Sequence, residues 1–260
     1  MKSFTFLKKE IIEIFKTSKI FILPPVLLIF GFSSPLFTKL TPKLFESIAK
    51  QTNDSGIAIR QTREIVFSDS YSQYYNNLFQ VCIIVLILVF MGLVAEEKVR
   101  GTAVLVLTKR VSRTNFIVSK FVSGSLLFTV SFAVSALVCI LYTYLLFGQF
   151  YTEYLFLSFL CYWIFGIMTI SITLFFSTIG KSSLVSALMS FAAFIVISAA
   201  SAVPFVRKFT PGSLSGLCMG LAQGSETVSA GDALLPAITA VLLAVLFVAG
   251  SIAVFKRQEL

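Results

Sequence analysis

The residues best suited to bind a partner lie in one short segment, residues 96–120. Glu96 and Glu97 place two carboxylates side by side, where a basic groove of another protein could clasp them. Gly101 then breaks the helix, and Thr102 can cap an apolar turn over residues 103–107. A solvated loop would explain the charges of this segment but explains its apolar turn less well. The pattern therefore favours a short docking helix.

Little else in the chain is suited to chemistry. Histidine is absent, which removes His-based general bases and the zinc-protease signature. Asp54, Asp69 and Asp232 all lie outside the long apolar runs, and no Gly-x-Ser-x-Gly motif occurs. Gly180-Lys181-Ser182 matches the end of a phosphate-binding loop, but Phe175 stands where that motif requires glycine, so we interpret it as a turn. We expect no catalytic, cofactor-binding or metal-binding residue.

Long uncharged runs make up most of the sequence. Of its residues, 57% are apolar and 13% are charged, against roughly half and a quarter in soluble domains. About 20 apolar residues in a helix cross a hydrocarbon core. Because lipid-exposed backbone must satisfy its own hydrogen bonds, the fold is predicted to be all-α, one transmembrane domain over residues 1–260. The six predicted spans are Ile20–Thr38, Leu78–Ala95, Phe121–Phe147, Tyr154–Gly180, Ser182–Val203 and Ala233–Phe255.

The basic residues predict the orientation of these spans. With both termini on one side, that side carries 14 of the 21 Lys and Arg and five of the 12 acidic residues. The two sides then have net charges of +9 and 0, since 14 minus 5 is 9 and 7 minus 7 is 0. The positive-inside rule places both termini in the cytoplasm. The basic charge thus indicates topology and contact with anionic lipid, not nucleic acid.

Two further segments are predicted to lie at the membrane faces. In residues 1–19, Leu7, Ile11 and Ile14 recur at helical spacing, which favours an amphipathic helix in the cytoplasmic interface over a fraying tail. Residues 204–232 favour a re-entrant outer segment over a flexible loop, because glycine recurs every fourth residue and small residues permit close helix packing. These glycines are Gly212, Gly216, Gly220 and Gly224.

Tyrosines and cysteines support two smaller predictions. Tyr71, Tyr74 and Tyr75 precede the second span and indicate an interfacial aromatic belt, with contact to a substrate as the less favoured alternative. The four cysteines stand in apolar surroundings without paired spacing, so we expect no disulfide.

The cytoplasmic segment also resembles a known family. The run Glu96-Glu97-Lys98-Val99-Arg100-Gly101-Thr102, followed by Leu105, Leu107, Ser112-Arg113 and Lys120, looks like the signature of ABC-2-type permeases, the membrane subunits of type V ABC exporters. The order of amphipathic helix, six spans, large first outer loop and re-entrant outer segment is similar as well. The resemblance covers the whole chain.

This resemblance implies a dimer of permease chains, either homodimer or heterodimer, docked on two ATP-binding cassette subunits that bind ATP and Mg and hydrolyse the ATP. It assigns ATPase coupling to Glu96, Glu97, Gly101, Thr102, Leu105 and Arg113. The uncharged, aromatic spans favour export of a hydrophobic or amphipathic substrate, a peptide ahead of a lipid or drug. A non-transporting immunity or sensor subunit is the alternative. Because ionisable residues are absent from the spans, an ion channel or carrier is disfavoured.

Overall fold

The computed structural model describes residues 2–17, 19–52, 66–108, 111–224 and 228–258, without the side chains of residues 2–5, 15, 43–52 and 104. Throughout these ranges the regular structure is helical, as the sequence predicts. The α-helices are α1 Lys2–Lys16, α2 Lys19–Thr52, α3 Phe67–Asn77, α4 Ile83–Phe90, α5 Ala95–Val99, α6 Thr102–Thr108, α7 Arg113–Phe147, α8 Leu155–Ile179, α9 Ser183–Ala200, α10 Pro204–Arg207, α11 Leu214–Gln223 and α12 Ala230–Arg257. A π-helix, Leu78–Cys82, joins α3 to α4, and a 3-10 turn, Pro211–Ser213, precedes α11.

Six helical stretches in the described ranges are long and apolar enough to cross a membrane, which confirms the predicted number of spans. They are Lys19–Pro42, Phe67–Val99, Arg113–Phe147, Leu155–Ile179, Ser183–Ala200 and Ala230–Arg257. Helix α2 continues to Thr52, and so enters the region predicted to be the large outer loop. The rest of that loop, residues 53–65, lies outside the described residues.

Helix α8 forms the centre of the bundle. It packs most extensively against α12, and also against α4, α7, α9 and α11. Phe159, Tyr162 and Phe165 of α8 are buried, and their rings stack with aromatic residues of α3 and α7 and of the π-helix. Aromatic rings in such edge and tilted contacts add to the stabilisation that burial provides.

The predicted aromatic belt is wrong. Tyr71, Tyr74 and Tyr75 are fully buried inside the bundle rather than exposed to lipid head groups. The hydroxyl of Tyr74 lies 2.8 Å from Ser135 Oγ, and that of Tyr75 lies 2.7 Å from Ser158 Oγ. Because these hydroxyls find partners inside the protein, the polar helix α3 can begin the second span about three turns earlier than predicted.

The N-terminal helix is present as α1, and it packs on α7. Its buried stripe consists of Phe6, Glu10 and Ile14, spaced by one helical turn, and Phe6 stacks on Phe116 of α7. One face of α1 therefore rests on protein. A position of this helix in the membrane interface stays a prediction.

The outer segment consists of α10, the 3-10 turn and α11, with residues 225–227 outside the described ranges. Leu214, Cys218, Leu221 and Ala222 bury one face of α11 against α3 and α8. A re-entrant path of this segment stays a prediction.

The glycine repeat does not form one packed face, so that prediction is wrong. A Cβ on Gly212 would lie 2.7 Å from the Ile197 carbonyl oxygen, which makes this glycine a close contact with α9. A Cβ on Gly216 would meet nothing within 4 Å. Gly224 adopts a φ of +64° and ends α11. The helix begins only at Leu214, so the four-residue spacing of Gly212 and Gly216 does not continue along one helix.

Candidate functional site

The predicted docking segment forms a sharp corner between two short helices. Helix α5 ends at Val99 and α6 begins at Thr102. Gly101, with a φ of +69°, makes the turn between them, a conformation that few other residues adopt easily. The predicted break at Gly101 is confirmed. Thr102 acts differently from the prediction: it lies inside α6, and its hydroxyl donates to the Glu97 carbonyl at 3.3 Å instead of capping α6.

The side of this corner that faces away from the bundle exposes both apolar and charged side chains. Val99 is 67% exposed and Leu105 is 65% exposed. Glu96 and Arg100 border them, and their carboxylate and guanidinium lie 4.0 Å apart. We call Glu96, Val99, Arg100 and Leu105 the docking patch. Exposed apolar side chains with a polar rim are typical of a protein interaction surface.

The inner surface of the corner holds a buried ion cluster. Lys120 Nζ on α7 donates to Glu10 Oε2 at 3.1 Å and to Glu97 Oε1 at 2.5 Å. The side chains of Lys120 and Glu10 are each 4% exposed, and that of Glu97 is 16% exposed. The ammonium also lies 5.0 Å from the centroid of the Phe116 ring. This charge cluster therefore joins α1, α5 and α7 at one point.

The position of Glu97 corrects the expectation for this residue. Its carboxylate turns into the protein, towards Lys120, and is not part of the docking patch. Its second oxygen, Oε2, is buried without a hydrogen-bond partner among the described residues. Glu96, by contrast, has a side chain that is 50% exposed, so a partner could reach it. The adjacent carboxylates thus face in opposite directions.

The sequence did not lead us to predict that Glu10 belongs to this site, or that the Lys120 side chain is buried. The available signal was the position of Glu10 between Phe6 and Ile14, one turn from each, which places a carboxylate within an otherwise apolar stripe. Such a carboxylate requires a buried partner.

On the neighbouring exposed face of α1, Lys9 Nζ lies 2.8 Å from Glu13 Oε2. Partial burial opposes the charged forms, but the hydrogen bond and the opposite charges nearby together outweigh it. They raise the pKa of Lys9 and lower that of Glu13.

Two further contacts fix the corner to the ends of the spans. Ser177 Oγ on α8 accepts from the backbone N–H groups of Val94 and Ala95, each at 3.0 Å, and so caps the start of α5. Lys98 Nζ donates to the Thr178 carbonyl at 2.6 Å. A displacement of α5 would thus pull directly on α8.

Arg113, predicted to act in ATPase coupling, caps the last helix. Its Nη1 donates to the carbonyls of Phe255, Lys256 and Gln258 at distances of 3.1, 2.8 and 2.8 Å. These are C-terminal carbonyls of α12 and the residue after it, where a positive charge is favourable. Ser112, next to it, accepts from the Asn115 N–H and caps α7.

A cavity of about 350 Å³ lies at the opposite end of the bundle, between the π-helix, α8, α9 and α11. Phe79, Phe165 and Phe194 give it an aromatic wall. Asn76 and Gln80 also line it, and neither side-chain amide bonds to another described residue. The π-helix, a feature often found at functional sites, carries Phe79 and Gln80. We call this space the outer cavity.

Six apolar spans, together with a polar corner that is fixed to the third and fourth of them, define a polytopic membrane protein with an exposed interaction surface. The family model described as ABC-2 family transporter protein matches residues 4–212, and the chain belongs to this family. The resemblance noted from the sequence is thus confirmed, and the chain is the membrane component, or permease, of an ABC transporter. Such permeases associate with ATP-binding cassette subunits. Comparison with curated proteins gives no match.

Proposed function

We propose that this chain is the permease subunit of an ATP-driven exporter in a bacterial plasma membrane, with both termini in the cytoplasm. Two separate cassette subunits would bind ATP and Mg, hydrolyse the ATP and press on the docking patch. The observation that carries the proposal is the corner of α5 and α6: its outer side is exposed for a partner, and its inner side is fixed to α1, α7 and α8 by the charge cluster and Ser177.

Mechanical coupling follows from this arrangement. The charge cluster and the Ser177 cap leave α5 little freedom to move by itself, so a force applied at Leu105 would be passed to the ends of the third and fourth spans. The described spans hold no chain of ionisable residues that could act as an ion relay, so the driving force would come from the partner.

The orientation has a direct test, because all four native cysteines are buried. Ser112 and Gln149 are exposed and lie at opposite ends of α7. We expect an impermeant maleimide to label a Gln149→Cys variant in intact cells, and a Ser112→Cys variant only after permeabilisation. Labelling of Ser112→Cys in intact cells would reverse the proposed topology.

Docking is tested by weakening the patch without touching the charge cluster. Leu105→Ser combined with Glu96→Ala should leave the chain folded and reduce affinity for the cassette subunit about tenfold, since loss of an interface anchor costs about 1–2 kcal/mol. The measurement is the amount of ATPase chain that copurifies with the tagged permease, together with the rate of ATP hydrolysis.

Leu184→Ser is the matched control, because Leu184 is 68% exposed, as Leu105 is, but begins α9 outside the patch. Glu97 is left unchanged in this experiment, since its removal would take away one of the two carboxylates that bind Lys120. Full copurification and coupled hydrolysis in the double variant would show that ATPase docking lies elsewhere.

For the substrate we propose a hydrophobic or amphipathic molecule, a peptide ahead of a lipid or drug, that contacts the outer cavity. The aromatic wall suits apolar groups, and the free amides of Asn76 and Gln80 suit peptide carbonyl and N–H groups. A second permease chain, identical or different, would close this space beside α9, the least buried of the six candidate spans.

Gly216→Leu tests this site, because Gly216 lines the outer cavity and its added side chain would meet open space. We expect the variant to be as stable as the parent but to lose most ATP-dependent uptake of a fluorescent amphipathic peptide into inverted vesicles that contain the cassette subunits. Gly231→Leu, at an exposed glycine that does not line the cavity, is the control. Unchanged uptake by Gly216→Leu would remove the outer cavity from the transport path.

A further inference from the structure

A second large recess lies between α7, α8 and α12, and it differs from the outer cavity in being wholly apolar. Its volume is about 550 Å³, within the range of ligand pockets, which is about 300–1,000 Å³. No polar atom of its described lining residues faces it. The lining includes Phe121, Trp163, Ile167, Val245, Ala249 and Ile252. The one polar group of Trp163, Nε1–H, is already bonded to Thr129 Oγ1 at 2.9 Å. We call this recess the lipid-side cleft.

The length of the lipid-side cleft matches one leaflet of a bilayer. Its lining on α12 extends from Val241 to Ile252, which is about 16 Å along a helix that rises 1.5 Å per residue. The hydrocarbon core of a bilayer is about 30 Å thick, so one leaflet is about half of that. A single acyl chain from one leaflet could therefore occupy the cleft along its whole length.

Two cations stand at one end of the cleft. The lining residues Val241, Val245, Val248 and Ile252 repeat at helical spacing along α12. Lys256 continues this stripe one turn further, and Arg257 follows it. Both side chains are exposed, and neither forms an ion pair with another described residue. An anionic group at this end of the cleft would thus meet the positive charge of Lys256, with that of Arg257 on the adjoining turn of the helix, about 100° further round.

We propose that the lipid-side cleft binds an anionic phospholipid, with one acyl chain between α7, α8 and α12 and the phosphate at Lys256 and Arg257. A lipid is the occupant that satisfies both features, since its chain needs no hydrogen bond and its head group carries the complementary charge. Assignment to the cytoplasmic leaflet rests on the proposed orientation, whereas binding itself does not.

A second copy of the chain is the other occupant to consider, and the geometry of α8 disfavours it. Ile164 and Ile167 line the lipid-side cleft, whereas Phe165 lines the outer cavity. Successive residues of an α-helix are rotated by about 100°, so the two spaces open on different sides of α8. A second permease chain that closes the outer cavity beside α9 would leave the cleft facing the bilayer.

The protein contains its own reporter for this site. Trp163 is the only tryptophan of the sequence, and it lines the cleft. Bromine atoms on an acyl chain quench tryptophan fluorescence on close contact. In one sample the purified chain is reconstituted in phosphatidylcholine vesicles that contain a small fraction of phosphatidylglycerol brominated at mid-chain. In a second sample the phosphatidylglycerol is unlabelled and the same fraction of phosphatidylcholine carries the bromine.

We expect brominated phosphatidylglycerol to quench Trp163 at a much lower mole fraction than brominated phosphatidylcholine. A Lys or Arg near the surface favours anionic lipid about fivefold, so Lys256→Ala should reduce the preference about fivefold, and Lys256→Ala with Arg257→Ala should abolish it. Lys208→Ala, which removes an exposed cation at the end of α10 in the outer segment, should retain it.

A second pair of variants tests the acyl-chain part of the site. Ala249→Phe fills the lipid-side cleft and should reduce quenching by either lipid, while Ala133→Phe, at an exposed alanine of α7 outside the lining, should not. Equal quenching by the two lipids in the parent chain would overturn the proposal by making Trp163 part of the general lipid boundary. Absence of quenching by both would overturn it in favour of a protein occupant. Neither result bears on ATPase docking or on the outer cavity.

Discussion

Replacement of Lys120 by methionine is expected to destabilise the folded chain by about 3–5 kcal/mol, the usual cost of leaving a buried charge unpaired. Methionine retains the length of the side chain but removes the cation between Glu10 and Glu97. Glu10 would keep only Lys9, whose Nζ lies 3.5 Å from its Oε1, and the carboxylate of Glu97 would have no ion pair with any described residue. Thermal unfolding of the purified protein in detergent measures the loss, which should lower the melting temperature by about 10 °C.

Further substitutions provide the control. Lys120→Met combined with Glu10→Gln and Glu97→Gln removes all three charges and should recover most of the stability, since a neutral buried set avoids the unpaired carboxylates. Lys181→Met, at an exposed position, should change little. If Lys120→Met melted at the same temperature as the parent at neutral pH, the charge cluster would not hold α1, α5 and α7 together.

Local sequence was sufficient to predict the spans, because chain length and lack of charge decide whether a helix can cross a bilayer. It was not sufficient for their ends. Tyr74 and Tyr75 look like interfacial residues in sequence, but their partners Ser135 and Ser158 are 61 and 83 positions away. Only the packing of α7 and α8 against α3 supplies those partners, so burial of the polar turn could not be predicted from α3 alone.

The same limit applies to the candidate site. The break at Gly101 depends on neighbouring residues alone, and the sequence predicted it. The opposite directions of Glu96 and Glu97 depend on Lys120 and Glu10, which the folded chain brings to α5 from 23 and about 90 positions away. Adjacent identical side chains carry no local signal that distinguishes the buried one from the exposed one.

Gly31→Leu is expected to have an effect as large as that of Lys120→Met, for a steric reason. Helices α2 and α7 share one of the most extensive contacts of the bundle, and Gly31 of α2 lies close to Ser135 of α7 within it. A Cβ there would stand 2.6 Å from the Ser135 carbonyl oxygen and 2.9 Å from its hydroxyl. Backbone on a packed helix cannot give way as a flexible side chain can, so the two helices must separate.

Separation would also break the hydrogen bonds at this crossing. Ser135 Oγ donates to the Leu27 carbonyl at 2.5 Å and lies 2.8 Å from the Tyr74 hydroxyl. These bonds connect α2, α3 and α7, so a displacement of α2 disturbs three spans at once. Overpacking of a core costs about 1–3 kcal/mol or more, to which the lost hydrogen bonds of buried groups are added. We expect a strongly lowered melting temperature and a reduced yield of monodisperse protein in size-exclusion chromatography.

Two matched controls accompany this variant: a smaller substitution at Gly31, and the same glycine-to-leucine change at a position with open space around it. Gly31→Ala introduces only the Cβ and should lie between the parent and Gly31→Leu in melting temperature. Gly216→Leu makes the same chemical change inside another helix, where an added Cβ meets nothing within 4 Å, and it should be stable. If Gly31→Leu were as stable as Gly216→Leu, helices α2 and α7 would not be held at this spacing, and the hydrogen bonds from Ser135 could not be what joins the first three spans.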